Sequence, residues 1–160
     1  MIKVSIICVG KLKEAYLRDA CSEYSKRMSR FADFSVTEVD EEKLPDSPSA
    51  QQIDNTLKKE GQRILARIPK GAYIAALCIE GKLLSSEQLA SLLEENAAFG
   101  SGSIAFIIGG SWGLSDEVKN AADIRLSMSK MTFPHQLARV MLCEQIYRGF
   151  QISSGGKYHK

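Results

Sequence analysis

Short apolar runs of strand length alternate along this chain with longer segments of helical period, and no other feature restricts its fold as much. Residues 2–9, Ile-Lys-Val-Ser-Ile-Ile-Cys-Val, form the first such run, and Gly10 ends it. Leu17, Cys21, Tyr24 and Met28 then recur at i, i+4, i+7 and i+11, which predicts a helix from Lys13 to Arg30. Phe34, Val36 and Val39 mark a second strand, and the acidic, proline-containing stretch 40–49 is a loop. Ser49 with Gln52, and Ser85 with Gln88, carry the spacing of the reciprocal capping box, so each opens a helix. Between those two helices, residues 72–79 are continuously apolar, and 104–108 repeat the pattern before the Gly109-Gly110-Ser111-Trp112-Gly113 turn. Ser115 caps a short helix with Asp116 and Glu117 in its first turn, where the helix dipole favours acids. Residues 124–127 form a last strand. Strands that are apolar on both sides and separated by helices predict an α/β protein, with a mostly parallel sheet covered on both faces.

At 160 residues the chain is expected to form a single domain. No stretch approaches the roughly 18 apolar residues of a membrane span. The apolar start lacks a basic leader, so it reads as a buried strand and not a signal peptide. Cys8, Cys21, Cys78 and Cys143 are scattered through apolar periodic segments. This is the pattern of reduced core thiols in a cytoplasmic protein, without a disulfide framework or a paired metal motif. His135 and His159 are the only histidines, so no metal site is expected.

Charge is distributed unevenly. From Arg125 onward there are six basic residues against one acid, Glu144, although the whole chain carries only +2. A C-terminal end of that sign suits an anionic partner such as phosphate. The final helix, expected from Pro134 to about Ile152, is unusual in another way. Leu137, Val140, Met141, Leu142, Ile146, Tyr147 and Phe150 spread over more than half its circumference. A helix that is apolar nearly all round needs covering on two sides, and a two-fold homodimer contact is the expected second cover.

Ligands of open α/β sheets bind beyond the carboxyl ends of strands. Three such ends are candidates: 77–82, 109–113 and the seven-residue segment 127–133. The glycines do not spell a dinucleotide fingerprint or a phosphate loop, and there is no Gly-x-Ser-x-Gly nucleophile elbow. What remains is a pocket of backbone groups with small and thioether side chains.

The strings Phe106-Ile107-Ile108-Gly109-Gly110-Ser111-Trp112-Gly113-Leu114, Leu126-Ser127-Met128-Ser129-Lys130-Met131-Thr132-Phe133-Pro134-His135 and Glu144-Gln145-Ile146-Tyr147-Arg148, with the ending Tyr158-His159-Lys160, closely resemble one family. It is the RlmH-type methyltransferases of the SPOUT (α/β-knot) superfamily, and the likeness extends to Val9–Lys13 and to Glu60-Gly61. The resemblance implies a C-terminal trefoil knot, which pattern reasoning alone would not propose. It also implies S-adenosyl-L-methionine as cofactor, held by Leu77, Gly109, Met128, Ser129, Lys130, Met131, Thr132 and Phe133. The implied reaction is methylation at N3 of a pseudouridine in 23S ribosomal RNA of the large subunit, with the large subunit or the whole ribosome as partner. Candidate catalytic groups are Tyr158, His159 and Arg148, with Arg139, Lys157 and Lys160 facing RNA. A shared last helix then predicts a composite site, cofactor from one subunit and tail from the other. The alternatives are a SPOUT methyltransferase for a different RNA position and a non-catalytic ribosome-binding factor.

Overall fold

Along β1 (Ile2–Val9) both parities are apolar: Val4, Ile6 and Cys8 point to one side of the sheet, Ile7 and Val9 to the other. A strand of this kind must be covered twice. The computed structural model, which describes all of residues 1–160, shows how. The elements following β1 are α1 (Ala15–Met28), β2 (Ala32–Val39), α2 (Ala50–Leu65), β3 (Tyr73–Leu83), α3 (Ser86–Phe99), β4 (Ser103–Ile108), α4 (Asp116–Ala121), β5 (Ile124–Ser127) and α5 (His135–Ser153). The five strands form one sheet in the order β2-β1-β4-β3-β5, with every pairing parallel. Met28, Leu93, Leu142 and Ile146 from α1, α3 and α5 close one apolar layer over Val4, Ile6 and Phe106. Ile64 of α2 and Val118 of α4 close the other over Ile7, Val9 and Ile107. No helix is long and apolar enough to cross a membrane.

The helix starts follow the caps read from the sequence. Ser49 accepts the Gln52 amide while the Gln52 side chain accepts the Ser49 amide, and Ser85 with Gln88 does the same. Ser115 accepts the Val118 amide at the head of α4.

Strand β3 departs from expectation. It does not end at Ile79 but runs to Leu83 through an irregularity: Leu77 and Lys82 both pair with Leu126 of β5, and residues 78–81 bulge between them. Glu80, Gly81 and Lys82 look like loop residues in the sequence, yet Lys82 and Leu83 resume the backbone pairing, which does not depend on their side chains. Gly81 permits the arrangement, because a Cβ there would stand 2.7 Å from the Arg125 backbone.

The last helix lies on the sheet between α1 and α3, with Leu142, Cys143 and Ile146 buried. Gly149 lets it approach α3 closely, since a Cβ at that position would meet Leu93 Cδ1 at 2.9 Å. One chain therefore covers more of this helix than its composition suggests. Val140, Met141, Tyr147 and Phe150 are left half-buried, and Leu137 is exposed.

Arg139 requires a correction. Read from the sequence as an RNA-facing cation, it is only 3% exposed. Its guanidinium donates to Glu38 Oε2 at 2.6 Å and to the Gly10 carbonyl at 3.0 Å, tying α5 to the carboxyl ends of β1 and β2. The cause is position: Arg139 falls one turn into α5 on the face that turns toward the sheet. Replacing it in R139M removes two charge-assisted bonds, each kind contributing about 1.5–3 kcal/mol. The expected result is a lower denaturant midpoint with an unchanged unfolding slope, read by urea titration.

Candidate active site

The carboxyl ends of β3, β4 and β5 converge on a cavity of about 580 Å³, roofed by the segment 127–133 as it crosses toward α5. Its volume falls in the range of small-molecule sites. The glycine turn after β4 forms one wall. There Gly109 packs against the backbone of Gly113 so closely that a Cβ would stand 2.3 Å from the Gly113 carbonyl oxygen. The roof is shaped by its own hydroxyls. Ser127 Oγ donates to the Ser129 carbonyl, and Ser129 Oγ accepts the Met131 amide, both at 3.0 Å. Ser129 thus folds the loop, in addition to lining the cavity.

Of the eight residues expected to hold the cofactor, Leu77, Gly109, Met128, Ser129, Met131, Thr132 and Phe133 line this cavity. Lys130 does not; it is exposed and lies outside the lining. No Asp, Glu, Lys or Arg lines the cavity, so its surface is apolar or neutral polar throughout. Such a lining fits a compact ligand with an apolar body and uncharged hydrogen-bonding edges.

Sequence reasoning missed His135, the first residue of α5, which also lines the cavity. Burial holds its imidazole below the ordinary range; Arg139 and Lys13 lower it further, and Glu41 works against them. The signal was available in its place directly after the roof segment, where a helix start delivers a side chain to a strand end. Because folding disfavours its protonation, the unfolded chain binds the proton more readily. Stability is therefore undiminished above the free imidazole pKa of about 6.5 and falls as pH drops below it. A cationic ligand is expected to bind more weakly only at still lower pH, below the depressed folded-state range, where His135 itself becomes charged. Titration calorimetry over a pH series running from neutral into the acid range, with H135N as the insensitive control, checks this.

The catalytic candidates lie elsewhere on the same chain. Tyr158 donates to Glu144 Oε1 at 3.1 Å, and Arg148 Nε donates to the same oxygen at 2.9 Å. The Arg148 guanidinium lies 4.7 Å from the Tyr158 ring centre, and Tyr147 meets that ring edge-on. His159 is bound at both nitrogens. Arg148 can only donate, so Nδ1 accepts from it at 3.1 Å, and Nε2–H donates to Glu87 Oε1 at 2.8 Å. The three candidates are thus brought together, but not at the cavity. Glu144 and Arg148 lie six and ten residues beyond Ala138 of the lining, which is about 9 and 15 Å along α5. In this arrangement neither tail residue is poised to take a proton. Burial, with the Tyr24 and Glu144 contacts, pushes the Tyr158 phenol up to about 12, and the free imidazole lone pair of His159 is occupied by Arg148. Glu144 is a second residue whose role the sequence reading passed over. It organises Tyr158 and Arg148 together, and the i, i+4 spacing of Glu144 and Arg148 was the available clue.

A parallel α/β sheet with an uncharged cavity at its carboxyl edge and a basic, aromatic tail defines an α/β domain with one candidate small-molecule site. Its fold is shared with a probable methylase family protein from Haemophilus influenzae Rd KW20, at a TM-score of 0.57 and 13% identity over 100% of this chain and 72% of that one. The family described as Predicted SPOUT methyltransferase matches residues 2–159, and this chain belongs to it. Its sequence is 50% identical over 159 residues to the ribosomal RNA large subunit methyltransferase H of Clostridium novyi, covering 99% of this chain and all of that one. It is 48% identical, with the same coverage, to the protein of that name in Clostridioides difficile.

Proposed function

We propose that this chain transfers a methyl group from S-adenosyl-L-methionine to N3 of a pseudouridine in 23S ribosomal RNA. On this reading it acts in the cytoplasm on the large subunit or the whole ribosome, as a homodimer. The observation that carries the proposal is the uncharged cavity at three strand ends. Its Leu, Met and Phe side chains suit an adenosine and a thioether-like body, and its freedom from lysine and arginine avoids repelling a sulfonium. When bound, the cofactor supplies a methyl on sulfur, which leaves as a neutral thioether. The relatives' name supports ribosomal RNA as the acceptor.

What the chain must do is align the acceptor nitrogen with that methyl and take up the N3 proton. Leu77, Gly109 and the roof residues Met128, Ser129, Met131, Thr132 and Phe133 hold the donor. Tyr158 and His159 are the candidates for handling the proton, and Arg148 is the group to stabilise the ring anion. Because those groups lie well along α5 from their own cavity, a second subunit has to bring them to it. The cavity mouth supports such a partner: Ile79, Trp112, Met131 and Leu137 expose large apolar side chains around it, 67%, 53%, 74% and 40% accessible. Lys157 and Lys160, both exposed, would follow the tail to the RNA.

Mass spectrometry of large-subunit RNA from cells with and without this protein tests the reaction. The expected product is one methylated pseudouridine lost on deletion; an unchanged modification map rejects the reading. Mixing a tail-deleted subunit with a cavity-blocked one tests the composite site, and heterodimers with no recovered activity count against it.

A further inference from the structure

At the end of the molecule opposite the cavity, the last turn of α1, the turn that follows it and the second half of α5 enclose a groove of about 320 Å³. It is lined by Lys26, Arg27, Arg30, Phe31, Tyr147 and Gln151, three cations over an aromatic floor with no carboxylate in the lining. Arg27 is fixed. Glu23 pairs with it at 3.1 Å, and its guanidinium lies 5.6 Å from the Tyr24 ring centre and 5.8 Å from that of Tyr147. Lys26 and Arg30 are exposed and make no ion pair. The floor is equally well defined, since Phe31 stacks on Phe150 with ring planes 2° apart and meets Tyr147 edge-on.

Cations in the last turn of a helix are favoured by its dipole, which accounts for Lys26 and Arg27 being basic. It does not account for Arg30, which lies beyond the helix, or for the aromatic surface beneath all three. The opposite end has the reverse character. Beside the cavity a groove carries Glu41, Glu42, Asp46 and Glu60 against Lys13 and Lys43, a flank that repels phosphate.

We infer that the Lys26–Arg27–Arg30 groove is an RNA-backbone anchor, in which Lys26 and Arg30 bind phosphates while the Tyr147 and Phe31 rings support a sugar or an unstacked base. Paired cations above aromatic rings are what single-stranded RNA requires: charge for the backbone and a flat apolar surface for what hangs from it. The inference rests on the composite-site reading, because Tyr147 of the groove also packs against Tyr158 of the tail, with ring centres 4.9 Å apart. The subunit that delivers the tail to its partner's cavity therefore delivers this groove beside it, and the acceptor strand is held from that side and not along the acidic flank.

The test is ribosome binding by the full-length protein, with purified ribosomes lacking the modification as the probe, across a series of salt concentrations. Each phosphate contact contributes roughly 0.7–0.9 to the slope of log affinity against log salt. K26Q/R30Q is expected to lower that slope by about 1.4–1.8 and to weaken binding at every salt concentration, while calorimetry shows donor binding unchanged. A matched pair on the opposite helical layer, R67Q/K70Q, is expected to leave the slope as it is. An unchanged slope in K26Q/R30Q overturns the inference. So does weaker binding at constant slope, which assigns the groove to a protein contact, or a wild-type protein that binds no ribosomes. Normal binding with the salt slope as expected but no methylation would reject the proposed reaction and leave the anchor standing.

Discussion

Removing Gly156–Lys160 is expected to reduce methyl transfer by about 10²–10⁴, the usual contribution of a positioned proton-transfer group, while leaving donor binding intact. The two effects separate because the cavity lining ends at Ala138, whereas Tyr158 and His159 lie over Glu144 and Arg148. Single-turnover transfer of a labelled methyl reads the first, and calorimetry with the donor alone reads the second. Y158F and H159N divide the contribution. A phenol pushed up to about 12 is protonated at neutral pH, so while it stays on Glu144 it can donate but not accept. If Tyr158 acts as the base in the assembled site, activity in Y158F falls as steeply as in the deletion. If it only orients Arg148 through Glu144, the loss is smaller and H159N carries the rest. Equal activity of the truncated and intact proteins would remove the tail from the mechanism.

Gly109→Val is expected to abolish donor binding and to destabilise the fold by about 1–3 kcal/mol, the common cost of forcing atoms into a closed site. The contact that matters is with backbone. A Cβ would stand 2.3 Å from the Gly113 carbonyl oxygen and 2.6 Å from its carbon, and neither can swing aside as a side-chain end could. The turn must open, carrying Ser111 and Trp112 with it and reshaping the wall of the cavity. Thermal melts with and without S-adenosyl-L-methionine check both parts: a lowered midpoint for the free protein, and no rise on adding the donor. A variant that still gains stability from the donor would show that the turn is not part of the binding wall.

The architecture was legible because this chain states it locally. Ser49 with Gln52 and Ser85 with Gln88 announce helix starts, and strands such as Ile104–Ile108, apolar on both faces, admit little besides a sheet covered twice. The strand ends that build the cavity were legible for the same reason, since glycines and the long roof segment interrupt otherwise regular alternation. Three things were not. Arg139 carries no mark in the sequence that it would be buried against Glu38, because that partner lies 101 residues away. The continuation of β3 beyond the 78–81 bulge depends on Lys82 and Leu83 resuming backbone pairing with β5, to which side-chain pattern is blind. The assignment of cofactor contacts came from likeness to a family and not from periodicity, and Lys130 is the one of the eight that the cavity lining does not include.

The 19 residues of α5 run from His135 at the cavity to the segment that carries the tail, without a proline or any other interruption. A continuous helix of this kind behaves as a ruler: adding one residue lengthens it by about 1.5 Å and swings everything downstream through about 100°. In a two-fold pair, that spacing decides whether one subunit's tail meets the other's cavity or misses it. Insertions and deletions should therefore be tolerated in the acidic loop before α2 and at the surface turns, yet be ruinous between Ala138 and Ser153, even where every side chain there remains apolar.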